Sequence, residues 1–215
     1  IGNEGDVPRI HKMGGSDCRK AVTKAQKSID DLADKLVELY AKREITEGFA
    51  FLPDQPWQVE FEDAFPYEET EDQLQATREI KESMERPTPM DRLLAGDVGF
   101  GKTEVAMRAI FKAVISGKQV AVLVPTTVLA QQHYQTFLNR FNPFGVKVDV
   151  LNRFRSTAEK REILKGVENG SIDVLIGTHS LLNKKVKFKD LGFLVVDEEQ
   201  RFEIGRASCR ERVLR

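Results

Sequence analysis

Residues 96–103 read Gly96-Asp97-Val98-Gly99-Phe100-Gly101-Lys102-Thr103, the spacing G-x-x-x-x-G-K-T. Each residue type has a chemical reason. Gly96, Gly99 and Gly101 let the backbone curl until several N–H groups converge on one phosphate chain. Lys102 brings a compact positive charge to the β- and γ-phosphates, and the Thr103 hydroxyl is a ligand for Mg²⁺. The flanks agree. Arg92-Leu93-Leu94-Ala95 suits a short buried strand over 92–96. From Glu104 to Ser116 the spacing is helical, which puts the loop at a helix N-terminus, where the dipole favours anions. Strand, glycine loop and helix in that order predict an α/β fold.

A second stretch completes the chemistry. Phe193-Leu194-Val195-Val196-Asp197-Glu198-Glu199-Gln200 is an apolar run ending in carboxylates. A central parallel strand that delivers acid to the carboxyl edge of a sheet has this form. Asp197 is expected to hold the Mg²⁺ water shell, and Glu198 to orient and deprotonate an attacking water. The second acid favours hydrolysis over transfer to another substrate.

Working outward, periods of helix and strand alternate. Thr70-Glu71-Asp72-Gln73 is a capping box that opens a helix running to about Met84, stopped by Pro87 and Pro89. Beyond the phosphate loop, the pattern predicts a helix over 102–116, a strand over 119–124, a helix over 127–139 and a strand over 146–151. Ser156-Thr157-Ala158-Glu159 caps a further helix, and strands follow at 172–176 and 191–196. This alternation implies a parallel sheet with helices on both faces.

Upstream, Val22, Ala25, Ile29, Leu32, Leu36 and Leu39 recur at spacings of three and four, with Ser16 as N-cap. A long amphipathic helix over 16–48 is expected, linking parts of a larger protein. Residues 1–15, with a strand over Val7–Lys12, read as the end of an upstream domain. Residues 49–65 hold aromatics, prolines and acids without a clean period, and are expected to be an irregular linker packed on the next domain. In that setting Trp57 and Phe61 are packing residues.

Composition narrows the classes. The chain has 215 residues, 40% hydrophobic and 31% charged, with net charge −1. That fits one α/β domain plus an appendage, with no global basic footprint, so any nucleic-acid contact is local. Cys18 and Cys209 are far apart and have no metal-ligand spacing. No signal peptide and no apolar run of membrane-spanning length is visible, so a cytoplasmic location is expected. From Ile204 the pattern breaks into Ile-Gly-Arg-Ala-Ser-Cys-Arg-Glu-Arg-Val, which resembles the in-frame translation of a sequencing adapter. Residues 203–215 are therefore expected to be a non-native tail, with the native-looking domain spanning 49–202.

Taken together, these blocks resemble superfamily-2 helicases and translocases, whose motor is built on the RecA-like fold. Phe65-Pro66-Tyr67-Glu68-Glu69-Thr70-Glu71-Asp72-Gln73 resembles the adenine-reading block, in which a glutamine uses both faces of its amide on the base. Val124-Pro125-Thr126-Thr127-Val128-Leu129-Ala130-Gln131-Gln132-His133 resembles motif Ia. Ile176-Gly177-Thr178-His179-Ser180-Leu181-Leu182 resembles motif Ib. Asp197-Glu198-Glu199-Gln200-Arg201-Phe202 is similar to a DEEQ form of motif II. Pro89-Met90-Asp91-Arg92-Leu93-Leu94-Ala95-Gly96-Asp97-Val98-Gly99 is similar to RecG-like enzymes, as is Asn152-Arg153-Phe154-Arg155. The N-terminal helix with His11-Lys12-Met13-Gly14-Gly15-Ser16 resembles the segment leading into the motor in the transcription-repair coupling factor family.

The resemblance implies an ATP-driven translocase on double-stranded DNA that displaces stalled RNA polymerase and works with nucleotide-excision repair proteins. A RecG-like fork-remodelling helicase is the alternative. ATP and Mg²⁺ are the implied cofactors. The implied nucleotide set is Phe65, Gln73, Gly96, Asp97, Val98, Gly99, Phe100, Gly101, Lys102, Thr103 and Glu104, with Thr103 and Asp197 toward the metal. Lys102, Asp197 and Glu198 are the implied catalytic residues. Thr126, Thr127, Thr178, His179, Arg153 and Arg155 are candidates for phosphate contacts that position DNA without reading bases. Taken singly, the threonines also read as helix caps, the two arginines as a solvated loop and His133 as a packed helix residue.

The motifs of a second RecA-like domain, with its transition-state arginines, are not in these residues. Slow hydrolysis by this chain is therefore expected. A guanine-reading Asn-Lys-x-Asp is also not found, which argues against a GTPase-type switch. A pure interaction module built on the long helix is the reading furthest from catalysis, and nucleotide binding would exclude it.

Overall fold

The computed structural model describes residues 16–198. The expected strand at Val7–Lys12 and the tail at 203–215 lie outside the described residues. The chain divides into two units, 1–47 and 48–215.

In the first unit, α1 (Ser16–Ile45) is one continuous 30-residue helix, about 45 Å long at 1.5 Å per residue. It contains no proline or glycine to interrupt it. Val22 and Ile29 of the predicted apolar stripe are exposed, as are Val37 and Tyr40.

The second unit is built on a four-stranded sheet in the order β2-β3-β1-β4. The strands are β1 (Gln119–Leu123), β2 (Val148–Leu151), β3 (Val174–Gly177) and β4 (Leu191–Val196). All pairings are parallel, with Val122 opposite both Ile176 and Val195. Period-two alternation splits the core into two layers. Val120, Val122, Val148, Val150, Val174 and Ile176 face one cluster. Leu123, Leu151, Leu175 and Leu194 face the other.

Helices cover both faces. On the first lie α2 (Pro56–Asp63), α3 (Glu71–Met84), α4 (Lys102–Ile115) and α5 (Thr127–Phe141). On the second, α6 (Thr157–Asn169) inserts Ile163 and Val167. The capping boxes at Thr70/Gln73 and Ser156/Glu159 both form. Among the described residues no helix is long and apolar enough to cross a membrane.

Two expectations are corrected. Residues 49–65 are not an irregular linker throughout, because Pro56 starts α2 at its first turn. Phe61 is fully buried and stacks on Phe111 at 4.3 Å, with Phe141 at 5.3 Å. Trp57 is 62% exposed. A two-turn helix that buries only Gln58 and Phe61 is too short to show a period.

The second correction concerns residues 92–96, which form no strand. Leu94 packs partly on the core, but Leu93 is 79% exposed. Arg92 is drawn to Glu79 and Ser83 of α3 instead. Three apolar residues between a charge and a glycine give little to hold a ladder at the exposed side of β4.

A candidate nucleotide site at the carboxyl edge of the sheet

The phosphate loop runs from exposed residues 96–100 into α4. Gly99 and Gly101 sit in the left-handed region, at φ 87° and 72°. A Cβ at Gly101 would also run into the side-chain amide of Gln73. Gly101 therefore needs to be glycine for conformation and for space. Because α4 starts at Lys102, the N–H groups of its first turn point out of the helix toward the loop. The Lys102 ammonium is folded back, donating to the carbonyls of Gly96 at 2.5 Å and Asp97 at 2.7 Å. The loop's own carbonyls thus hold the cation at the mouth of the site.

The acidic strand end lies on the same edge. Asp197 N donates to Leu123 O at 2.9 Å, which carries the β1–β4 pairing one residue beyond the strand. Asp197 Oδ2 lies 2.7 Å from His133 Nε2 on α5. An ionised carboxylate only accepts, so Nε2 is the donor. That bond is the main reason the Asp197 carboxyl is held below the ordinary carboxylate range. Burial opposes the shift. The His133 and Lys102 charges and the Glu198 backbone N–H support it. The Lys102 charge is the smallest of these contributions. Glu198 follows with φ 51°, a left-handed conformation that costs a non-glycine residue about 1–3 kcal/mol.

These donors fit Mg²⁺. A hydroxyl from Thr103 and a carboxylate from Asp197 are hard oxygens. Mg²⁺ is typically held by one or two carboxylates plus substrate phosphates and waters, not by an all-protein cage. Among the described residues no group of three or more His, Cys, Asp or Glu is placed to hold a metal.

The remaining nucleotide candidates divide. Gln73 reaches the loop, with Nε2 donating to Phe100 O at 2.8 Å and Oε1 accepting from Thr70 N at 3.0 Å. Phe65 is half-buried, edge-on to Tyr67 at 5.5 Å and under the guanidinium groups of Arg108 and Arg140. Asp97 and Val98 are exposed at the loop tip. Glu104 differs from expectation. Its carboxylate is buried between Arg140, at 2.8 Å, and Arg108, at 3.2 Å. Its side chain builds the α4–α5 interface, and its backbone N–H donates to Gly101 O at 2.9 Å.

The DNA candidates also divide. Thr126 caps α5, its hydroxyl accepting from Leu129 N at 3.2 Å, and Thr127 is the first residue of that helix. Thr178 precedes the short 3₁₀ turn His179–Leu182 and makes no side-chain cap, and His179 is exposed. Arg153 lies over the exposed Phe154 ring at 5.3 Å. Arg155 is engaged within the chain instead, at 2.9 Å from Asp149 and 3.3 Å from Glu159. His133, which the sequence reads as a packed helix residue, turns its ring to Asp197. A histidine in the middle of a helix carries no signal until the strand it faces is known.

The chain is similar to several known proteins. Over 204 residues the chain is 56% identical to the transcription-repair-coupling factor of Bacillus subtilis, covering 95% of this chain and 17% of that protein. It is 55% identical to the protein of the same name from Mycobacterium tuberculosis, over 93% of this chain and 16% of that one. The chain thus spans less than a fifth of these relatives. A solved structure of RecG bound to a three-way DNA junction superposes with a TM-score of 0.72 at 40% identity, covering 77% of this chain and 23% of that one. The expectation of a RecA-like fold therefore stands. The DEAD/DEAH box helicase model matches residues 70–213, a stretch that runs from the Gln73 cap through the phosphate loop to the acidic strand end, and the chain belongs to that family.

Proposed function

We propose that this chain binds ATP with Mg²⁺ and forms the first half of the motor of an ATP-driven double-stranded DNA translocase. The whole protein would displace stalled RNA polymerase and hand the site to nucleotide-excision repair proteins. The supporting observation is that the glycine loop, with Gly99 and Gly101 in the left-handed region, leads into α4 at Lys102 within the same unit whose strand β4 runs up to Asp197. The 56% identity to a transcription-repair-coupling factor supports the biological setting.

In this reading the Lys102 ammonium exchanges the Gly96 and Asp97 carbonyls for phosphate oxygens. The first-turn N–H groups of α4 hold the same phosphates. Thr103 and Asp197 hold the cation, which when bound neutralises charge on the β- and γ-phosphates. Glu198 orients a water and takes its proton. Gln73 and Phe65 sit at the base. The first turn of α5 at Thr126 and Thr127, together with Thr178, His179 and Arg153, contacts the DNA backbone.

Binding of a fluorescent ATP analogue tests the nucleotide reading. Lys102→Ala should weaken it at least tenfold, and unchanged affinity would count against the site. Turnover by the 215 residues alone should be very slow, because transition-state arginines come from a second lobe in such motors. Fast, DNA-stimulated hydrolysis by this chain would contradict that.

Fork remodelling is the second reading, favoured by the structural likeness to junction-bound RecG. Displacing a stalled polymerase and regressing a model fork are separable assays for the full motor.

A further inference from the structure

We propose that His133 is a positioning residue that holds the Asp197 carboxylate for Mg²⁺. This rests on the nucleotide-site reading above and deepens it.

The argument starts from geometry. His133 lies on α5, outside the phosphate loop and the acidic strand, yet its Nε2 is 2.7 Å from Asp197 Oδ2. The imidazole is 14% exposed, and the Phe137 ring one turn on packs edge-to-face against it at 5.9 Å. A half-buried ring braced by Phe137 has reduced rotational freedom, so it orients the oxygen it touches. The contact orients the carboxylate, which also accepts from the Glu198 backbone N–H. A metal-directed carboxylate commonly has such a hydrogen-bonding partner, and losing it typically costs about 10–100-fold in metal affinity.

The placement also has a mechanical consequence. Thr127 and His133 are on the same helix, about 9 Å apart along its axis. The end of α5 proposed to meet the DNA backbone and the residue that holds the metal carboxylate therefore move as one body.

The test is binding of a fluorescent ATP analogue to the 215-residue chain with and without Mg²⁺, read as the ratio of the two affinities. His133→Leu should lower that ratio by about 10–100-fold while leaving Mg²⁺-free affinity unchanged. His133→Gln, whose amide can reach the Nε2 position, should restore most of it. In an Asp197→Asn background, His133→Leu should cause no further loss. A ratio unchanged in His133→Leu, or lost equally in the Gln and Leu variants, would overturn the proposal.

A second readout needs no histidine variant. The Nε2–H proton should be seen by NMR in the unmutated chain as a slowly exchanging signal and vanish in Asp197→Ala. Persistence in Asp197→Ala would overturn the proposal while leaving the nucleotide site intact. Absence of any Mg²⁺-enhanced binding in the unmutated chain would sink the nucleotide reading itself, and this proposal with it.

Discussion

The side-chain amide of Gln73 donates to the backbone carbonyl of Phe100 at 2.8 Å, tying the first turn of α3 to the phosphate loop. The same amide accepts from Thr70 N, so one residue both caps a helix and braces the loop.

Gln73→Ala should therefore have two separable effects. Losing half of the capping box should destabilise the domain by about 0.5–1 kcal/mol. Losing the amide should also remove the preference for ATP over GTP, since a pocket held by phosphates alone does not distinguish bases. Competition binding of the two nucleotides alongside thermal melting measures both. An unchanged ATP-to-GTP ratio would take Gln73 out of base recognition and leave it a cap.

Glu104→Ala should destabilise the fold by about 2–3 kcal/mol without changing the phosphate-loop sequence. Removing one partner of a buried ion pair costs about 3–5 kcal/mol. Here the loss is tempered, because Arg108 keeps Glu69 and Arg140 keeps the Phe61 carbonyl. Denaturant unfolding reads the difference. A change below about 0.5 kcal/mol would mean that the network contributes no net stability.

Stability should fall in acid partly through Asp54. This carboxylate lies 2.8 Å from the fully buried Lys112 and 2.6 Å from Lys81, joining residues 48–63 to α3 and α4. Burial pushes its pKa up, but hydrogen bonds from Lys112 and Lys81 outweigh it and hold the group below the ordinary range. A depressed carboxylate contributes stability that is full above its unfolded pKa, about 4, and lost as pH falls through the folded value. Asp54→Asn should therefore lower stability at neutral pH and flatten its decline below pH 4. Parallel declines in the two proteins between pH 5 and pH 2 would contradict this.

The raised Lys81 pKa works in the opposite sense. Burial lowers it, but Asp54 and Glu62 raise it more, so its contribution is lost only as the solution becomes strongly alkaline.

Arg153 and Arg155, two positions apart in one loop, should behave differently on DNA. Arg153→Ala should weaken duplex binding uniformly across sequences and reduce the salt slope by about 1. Arg155→Ala should leave the salt slope unchanged and instead cost about 1 kcal/mol of stability, because Asp149 and Glu159 lose their partner. Salt titrations of duplex binding separate the two, and equal slope changes would return Arg155 to the interface.

The α/β class, the alternation of helices and strands from α4 to β4, both capping boxes and the two chemical segments were legible in the sequence because each rests on local rules. Alternation of apolar residues specifies the two faces of a strand, a Ser or Thr three residues before Glu or Gln caps a helix, and a G-x-x-x-x-G-K-T loop carries its own geometry. These need no knowledge of what lies across the sheet.

Tertiary structure decided what depends on partners distant in sequence. It paired His133 with Asp197 across 64 positions, placed Glu104 between two arginines and turned Arg155 inward to Asp149. It buried Phe61 on Phe111 through a helix too short to show a period, and left residues 92–96 outside the sheet. In each case the side chain's role is set by which charge or ring packing brings within 3–4 Å, and that proximity is created only when the strands align.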